Sequence, residues 1–183
     1  MRILVTVASK HQSTLEIGRA IGRALSAAGV LADVRPAEEV DTLTGYDAVV
    51  VGSGIYAGNW LGPARDFVER CVGQLRERPV WLFSSGPMGD PPVPAGDPAG
   101  VRALIDLIHP RGHSVFAGRL ESGDLGLGEK LIVKAVRAPF GDFRDWAAIE
   151  AWARDIAVEL GVGAAAAPSA ATAEGRRAEA TTA

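Results

Sequence analysis

The chain has 183 residues, 48% of them hydrophobic, a net charge of −3 and a single cysteine. That length and composition predict one globular domain, and the charge leaves no electrostatic footprint for nucleic-acid binding. The lone Cys71 rules out an intramolecular disulfide framework, and no apolar run approaches the roughly 18–20 residues that span a bilayer.

Ile3-Leu4-Val5-Thr6-Val7 is an apolar run without polar alternation, so Arg2–Val7 reads as a parallel strand buried on both faces. The chain enters this strand at once, leaving no room for a signal peptide, and a single thiol suits a reducing compartment; the expectation is cytoplasmic. The run breaks into the polar stretch Ala8–Thr14, and a helical pattern follows in which Ile17, Ala20, Ile21, Ala24 and Leu25 share a face up to a stop at Gly29. Gly18 and Gly22 lie near the same stripe, which predicts a close approach of this helix to the sheet. Ala32–Arg35 is a short strand of edge character, and Asp47–Gly52 is a second continuous buried strand.

The next helix starts near Pro63 and reaches about Arg76, with Phe67, Val68, Cys71, Val72 and Leu75 on one face. Cys71 on that stripe reads as inert packing. Pro79–Ser84 is the fourth strand, and a Pro/Gly-rich loop over Gly86–Gly96 leads to a helix over Asp97–Ile108. His113–Leu120 reads as the fifth strand. Asp145–Leu160 is the last helix, with the stripe Ile149, Trp152, Ala153, Ile156, Ala157 and Leu160. Beyond it the chain has almost no large apolar side chains and cannot offset the entropy of ordering. The domain is expected over 1–161, with a disordered Ala-rich tail over 162–183.

Alternating strands and helices with short links predict an α/β fold: a doubly wound, five-stranded parallel sheet with ligands at the carboxyl ends of its strands. Three loops leave those ends with unusual composition. Ser9, Lys10, His11, Gln12, Ser13 and Thr14 bring hydroxyls and backbone N–H groups to a helix N-terminus, a ready anion site. Gly54, Ile55, Tyr56, Ala57 and Gly58 form the second loop, and Ser85, Gly86, Pro87 and Met88 the third. Glycines there permit close backbone approach to a flat heteroaromatic ring, and Tyr56 or Trp60 offers a face to stack on it.

Each of these residues also has a plainer reading. Ser9, Ser13 and Thr14 are good helix caps without any ligand. Lys10 and His11 neutralise a phosphate or are solvated loop charges; Tyr56 and Trp60 meet the ring or cover an apolar edge; Met88 touches the ring or fills the loop; Asp90 accepts from a ring nitrogen or caps a helix. His109 and His113 flank a turn, with no third ligand for a metal in view. A nicotinamide-binding fold would place G-x-G-x-x-G after the first strand, where this chain has Ala8-Ser9-Lys10. A phospho-receiver fold would place carboxylates at the ends of the first and third strands, and there are none. No acid–base pair, nucleophile or metal set presents itself.

On these residues the chain resembles the flavodoxin superfamily over roughly 1–160. The segment ASKHQST resembles a variant phosphate loop close to ASKHGST, with Gln12 at a position where glycine is common. VVVGSGIYAGNW, FSSGPMGDP and GEKLIVKAVRAPFGDFRDW are similar to the same group, and within it to the menaquinone-dependent protoporphyrinogen dehydrogenase type. The resemblance implies a flavodoxin-like strand order of 2-1-3-4-5 and FMN held non-covalently, its phosphate on Ser9–Thr14 and its isoalloxazine flanked by Gly54–Gly58 and Ser85–Met88. It also implies an oxidoreductase working between a redox donor and an acceptor: a quinone, a porphyrin or a partner protein. A plain electron carrier and a flavin-free interaction module are the alternatives. Glu121–Arg144 occupies the place of that type's added loop, where Lys130, Lys134 and Arg137 fall on one side of a helix. Such a basic element suits an anionic membrane surface or the propionates of a porphyrin, or is a solvated face.

Overall fold

A computed structural model describes residues 1–56, 58–86, 99–120 and 140–162. Five parallel strands form the central sheet: β1 (Arg2–Ala8), β2 (Leu31–Pro36), β3 (Ala48–Tyr56), β5 (Val80–Ser85) and β6 (Gly112–Phe116). A short β4 (Asn59–Trp60) folds back antiparallel on β3. The parallel strands lie in the order β2-β1-β3-β5-β6, which is the expected order in chain sequence.

Strand periodicity sorts the core into two layers. On one face Ile3, Val5, Val7, Val50, Trp81 and Phe83 pack against helix α1 (Ser13–Ala27) and a C-terminal helix, α5 (Trp146–Glu159). On the other, Leu4, Ala8, Val49, Val51 and Leu82 meet α2 (Gly62–Arg70), α3 (Val72–Arg76) and α4 (Ala99–Ile108). A parallel sheet covered on both faces is why its strands read as unbroken apolar runs. The small residues of α1 are required by this packing: a Cβ on Gly18 would lie 2.5 Å from Val7 Cγ2, and one on Gly22 2.5 Å from Val34 Cγ2.

Three elements differ from expectation. The helix expected over 63–76 is broken at Cys71, whose φ of −102° and ψ of 12° separate α2 from α3. Its hydrogen bonds to Phe67 and from Leu75, both 2.9 Å, carry the stripe across the break. The fifth strand stops at Phe116; Arg119–Leu120 (β7) instead pairs antiparallel with Gly141–Asp142 (β8). The third strand runs on to Tyr56, so Gly54, Ile55 and Tyr56 of the expected second loop are strand. Ala57, Pro87, Met88, the basic trio Lys130, Lys134 and Arg137, and the tail from residue 163 lie outside the described residues.

Candidate functional site

Parallel register brings the ends of β1, β3, β5 and β6 level, pairing Ala8 with Ser53, Gly54 with Ser85, and Ser85 with Phe116. The three expected loops therefore leave one edge side by side. Two of them nearly touch where Gly54 stands: a Cβ there would lie 3.2 Å from the Thr14 hydroxyl, on a residue that is itself buried. The second and third meet at Gly86, where a Cβ would sit 3.0 Å from Ile55 Cβ.

The first loop spans Ser9–Gln12, and α1 begins at Ser13. Gln12 is the N-cap, with φ 63° and ψ −20°, and its side chain makes no capping hydrogen bond. It holds the left-handed conformation that glycine adopts without cost. The N-cap residue itself therefore supplies no side-chain acceptor to the first turn of α1. The Ser9 hydroxyl is buried and makes no hydrogen bond. A buried hydroxyl left unpaired costs about 1–3 kcal/mol, so this one is poised for an acceptor. Ser13 Oγ already accepts from the Arg119 backbone N–H at 3.3 Å, which leaves its own proton to donate.

Tyr56, 38% exposed at the end of β3, links the first loop to the second. The Lys10 ammonium stands 5.0 Å from its ring centroid, and the His11 ring 6.4 Å away at 41°. Both basic side chains therefore gather around one aromatic ring at the mouth of the site.

Trp60 is not a stacking residue. It is 2% exposed, and its indole N–H donates to Ser84 Oγ at 2.7 Å. Ser84 Oγ is in turn 2.8 Å from His113 Nε2, so His113 braces the floor beneath the site. Ser53 Oγ donates to the Gly54 carbonyl at 2.9 Å and accepts from the Leu61 N–H at 3.0 Å, fixing the chain as it turns into α2. Cys71 is buried, and desolvation pushes its thiol above the ordinary range, so it is inert. Among the described residues, no three His, Cys, Asp or Glu side chains gather to hold a metal, and no helix is long and apolar enough to cross a membrane.

The sequence pattern missed Arg144. Its side chain, 3% exposed, lies against the first turn of α1. It donates to Asp142 at 2.7 and 2.6 Å, to Glu16 Oε2 at 2.5 Å and to the Ser13 carbonyl at 3.3 Å. Arg119 Nη1 is 3.5 Å from the same Glu16 oxygen. The Arg144 hydrogen bond holds the Asp142 carboxyl below its usual range, and Asp142 holds the guanidinium above its own. The only signal was an Asp-x-Arg pair beside a strand; nothing in it named Glu16 as a partner.

The donor set suits a phosphate monoester at Ser9–Thr14: an unpaired buried hydroxyl, two further hydroxyls, a helix start without a side-chain cap, and basic side chains nearby. Residues 4–145 match the family described as Flavodoxin domain. No curated protein matches the chain. Among solved structures it is similar to a flavodoxin from the domain Archaea, at 16% identity and a TM-score of 0.62, over 88% of this chain and 99% of that one. It is likewise similar to oxidised Flavodoxin 2 from Bacillus cereus, at 17% identity and a TM-score of 0.59, over 87% and 99%. Rubredoxin oxygen:oxidoreductase from Desulfovibrio gigas matches at 12% and 0.61, over 90% of this chain but 37% of that one. At these identities the structures speak for the fold alone.

Proposed function

The chain belongs to the flavodoxin-domain family, which indicates FMN as its cofactor, and from that premise we propose that it is an oxidoreductase passing electrons between a reduced donor and a quinone- or porphyrin-type acceptor. The observation that carries the FMN site is the unpaired, buried Ser9 hydroxyl in a loop that enters α1 without a side-chain cap. FMN, when bound, supplies the redox chemistry, accepting and releasing electrons at its ring.

The protein's own residues bind and orient. Ser9, Ser13 and Thr14 donate to the phosphate, with the N-terminal dipole of α1 behind them. Lys10 adds positive charge at the mouth, and His11 a ring N–H. Gly54 and Gly86 keep the backbones of the second and third loops open to a ring edge, and Tyr56 offers it an aromatic face. Trp60, Ser84 and His113 hold the floor rigid, so the donors stay aimed. No side chain is required as an acid or base.

The finer reading is the protoporphyrinogen dehydrogenase type, with a quinone as oxidant and protoporphyrinogen as reductant. It rests on the resemblance of the segments at residues 8–14, 49–60, 83–91 and 128–146. It carries two further proposals: a cytoplasmic location, and peripheral contact with an anionic membrane through Lys130, Lys134 and Arg137. The test is in two steps. Flavin absorption bands should stay with the protein through gel filtration after FMN is added. The loaded protein should then oxidise protoporphyrinogen when given a quinone and no other protein. A colourless protein that releases all added FMN overturns the reading. A flavin-loaded protein that turns over only with a partner protein assigns it to plain electron carriage.

A further inference from the structure

Arg144 is the most deeply buried charge among the described residues, and it sits beside the positive end of α1, where the helix dipole opposes a cation. Burying a guanidinium is costly unless its donors are paired, and here they meet two carboxylates and a backbone carbonyl. One carboxylate, Asp142, lies two residues away on β8. The other, Glu16, belongs to the first turn of α1 itself. An acidic side chain there is drawn to the same helix end that an anionic ligand would use. Arg144 ties that carboxylate to the side, with Arg119 closing on the same oxygen at 3.5 Å.

We infer that Arg144 is a positioning residue that selects for the phosphorylated form of the cofactor, by holding the first turn of α1 through the Ser13 carbonyl and keeping the Glu16 charge paired and off the phosphate loop. The inference rests on the reading of Ser9–Thr14 as the phosphate site. The β7–β8 hairpin that carries Asp142 has its own role in it. Phe143 N–H donates to the Gly118 carbonyl at 3.1 Å, and the Arg119 N–H donates to Ser13 Oγ. So the hairpin sets both the clamp and the hydroxyl that donates.

The experiment compares binding of FMN and of riboflavin, which has the same ring without phosphate, to the full chain and to Arg144→Met. The wild type should prefer FMN. The variant should lose about tenfold in FMN affinity, the scale of one partly exposed carboxylate near an anion with only the longer Arg119 contact left to offset it, while riboflavin affinity stays within about twofold. Adding Glu16→Gln to Arg144→Met should restore most of the loss. Equal weakening of both ligands, or of neither, overturns the inference, as does failure of the double variant to recover. If Arg144→Met does not fold, Arg144→Lys and Glu16→Gln decide it. Lysine keeps one charge but cannot bridge both carboxylates, so it should lose FMN affinity selectively, and Glu16→Gln alone should not. A wild type that binds both ligands equally overturns the phosphate-site reading itself, a result distinct from a wild type that discriminates while its variants do not differ.

Discussion

The indole N–H of Trp60 and the hydroxyl of Ser84 are joined by a 2.7 Å hydrogen bond between two fully buried side chains. It welds the short β4 to β5 directly under the three loops, which removes Trp60 from any contact with a bound ring. Trp60→Phe keeps most of the apolar volume and deletes the donor. It should cost about 1–2 kcal/mol in denaturant unfolding, because Ser84 retains His113 as a partner. FMN affinity should change less than about threefold. A loss above tenfold would mean that Trp60 touches the flavin after all.

Ser9 offers a prediction with opposite signs for stability and binding. Without ligand its buried hydroxyl has no partner. Ser9→Ala should therefore leave the unliganded protein as stable as the wild type or up to about 1 kcal/mol more so. FMN binding should weaken by about tenfold, the scale of one hydrogen bond to a charged group. Thermal melts with and without FMN measure both arms.

Gln12 occupies left-handed backbone at φ 63°. A non-glycine residue is penalised there by about 1–2 kcal/mol, while glycine carries roughly 0.5–1 kcal/mol more chain entropy into the unfolded state. Gln12→Gly should thus stabilise the protein by less than about 1 kcal/mol and keep FMN affinity. Gln12→Val should destabilise, since a β-branched side chain tolerates this conformation least. Urea titration of the two variants tests the ordering.

Asp142 links the clamp to pH. Its carboxyl is held below the ordinary value of 3.8, chiefly by the hydrogen bond from Arg144. A depressed native value means its contribution is fully present above 3.8 and is lost as pH falls through the native value. With the side chain 41% exposed, solvent screening keeps that contribution to about 1 kcal/mol or less. Asp142→Asn should lower stability at neutral pH and flatten the acid limb of the curve. Equal acid limbs for wild type and variant would show that Asp142 contributes nothing.

The legible parts of the site share one property: each lies on a short stretch of chain with its own chemistry. Ser9–Thr14 announces a polar loop between a buried strand and a helix. The glycines of the second and third loops announce open backbone. Gly18 and Gly22 announce the close approach of α1 to Val7 and Val34, because absent side chains on an apolar stripe have no better use. What is not legible depends on a partner far along the chain. Trp60 reads as a stacking candidate because its aromatic ring is visible in the sequence and Ser84, its hydrogen-bond partner, is not adjacent. The fifth strand reads on to Leu120 because Arg119 and Leu120 do not reveal that they pair with Asp142 and Gly141.

Order and period of the elements are properties of the chain taken alone, and they already imply a sheet buried on both faces with polar loops at one edge. Periodicity and apolar runs are local, and a parallel sheet needs no more than that to choose its faces. Which of the polar groups at that edge are paired is a property of the folded state. Glu16 and Arg144 stand 128 residues apart in sequence. Only the return of the chain through β8 places that guanidinium beside the first turn of α1. Pairing of charges falls off steeply with distance and depends on burial, and neither quantity is written in the order of residues.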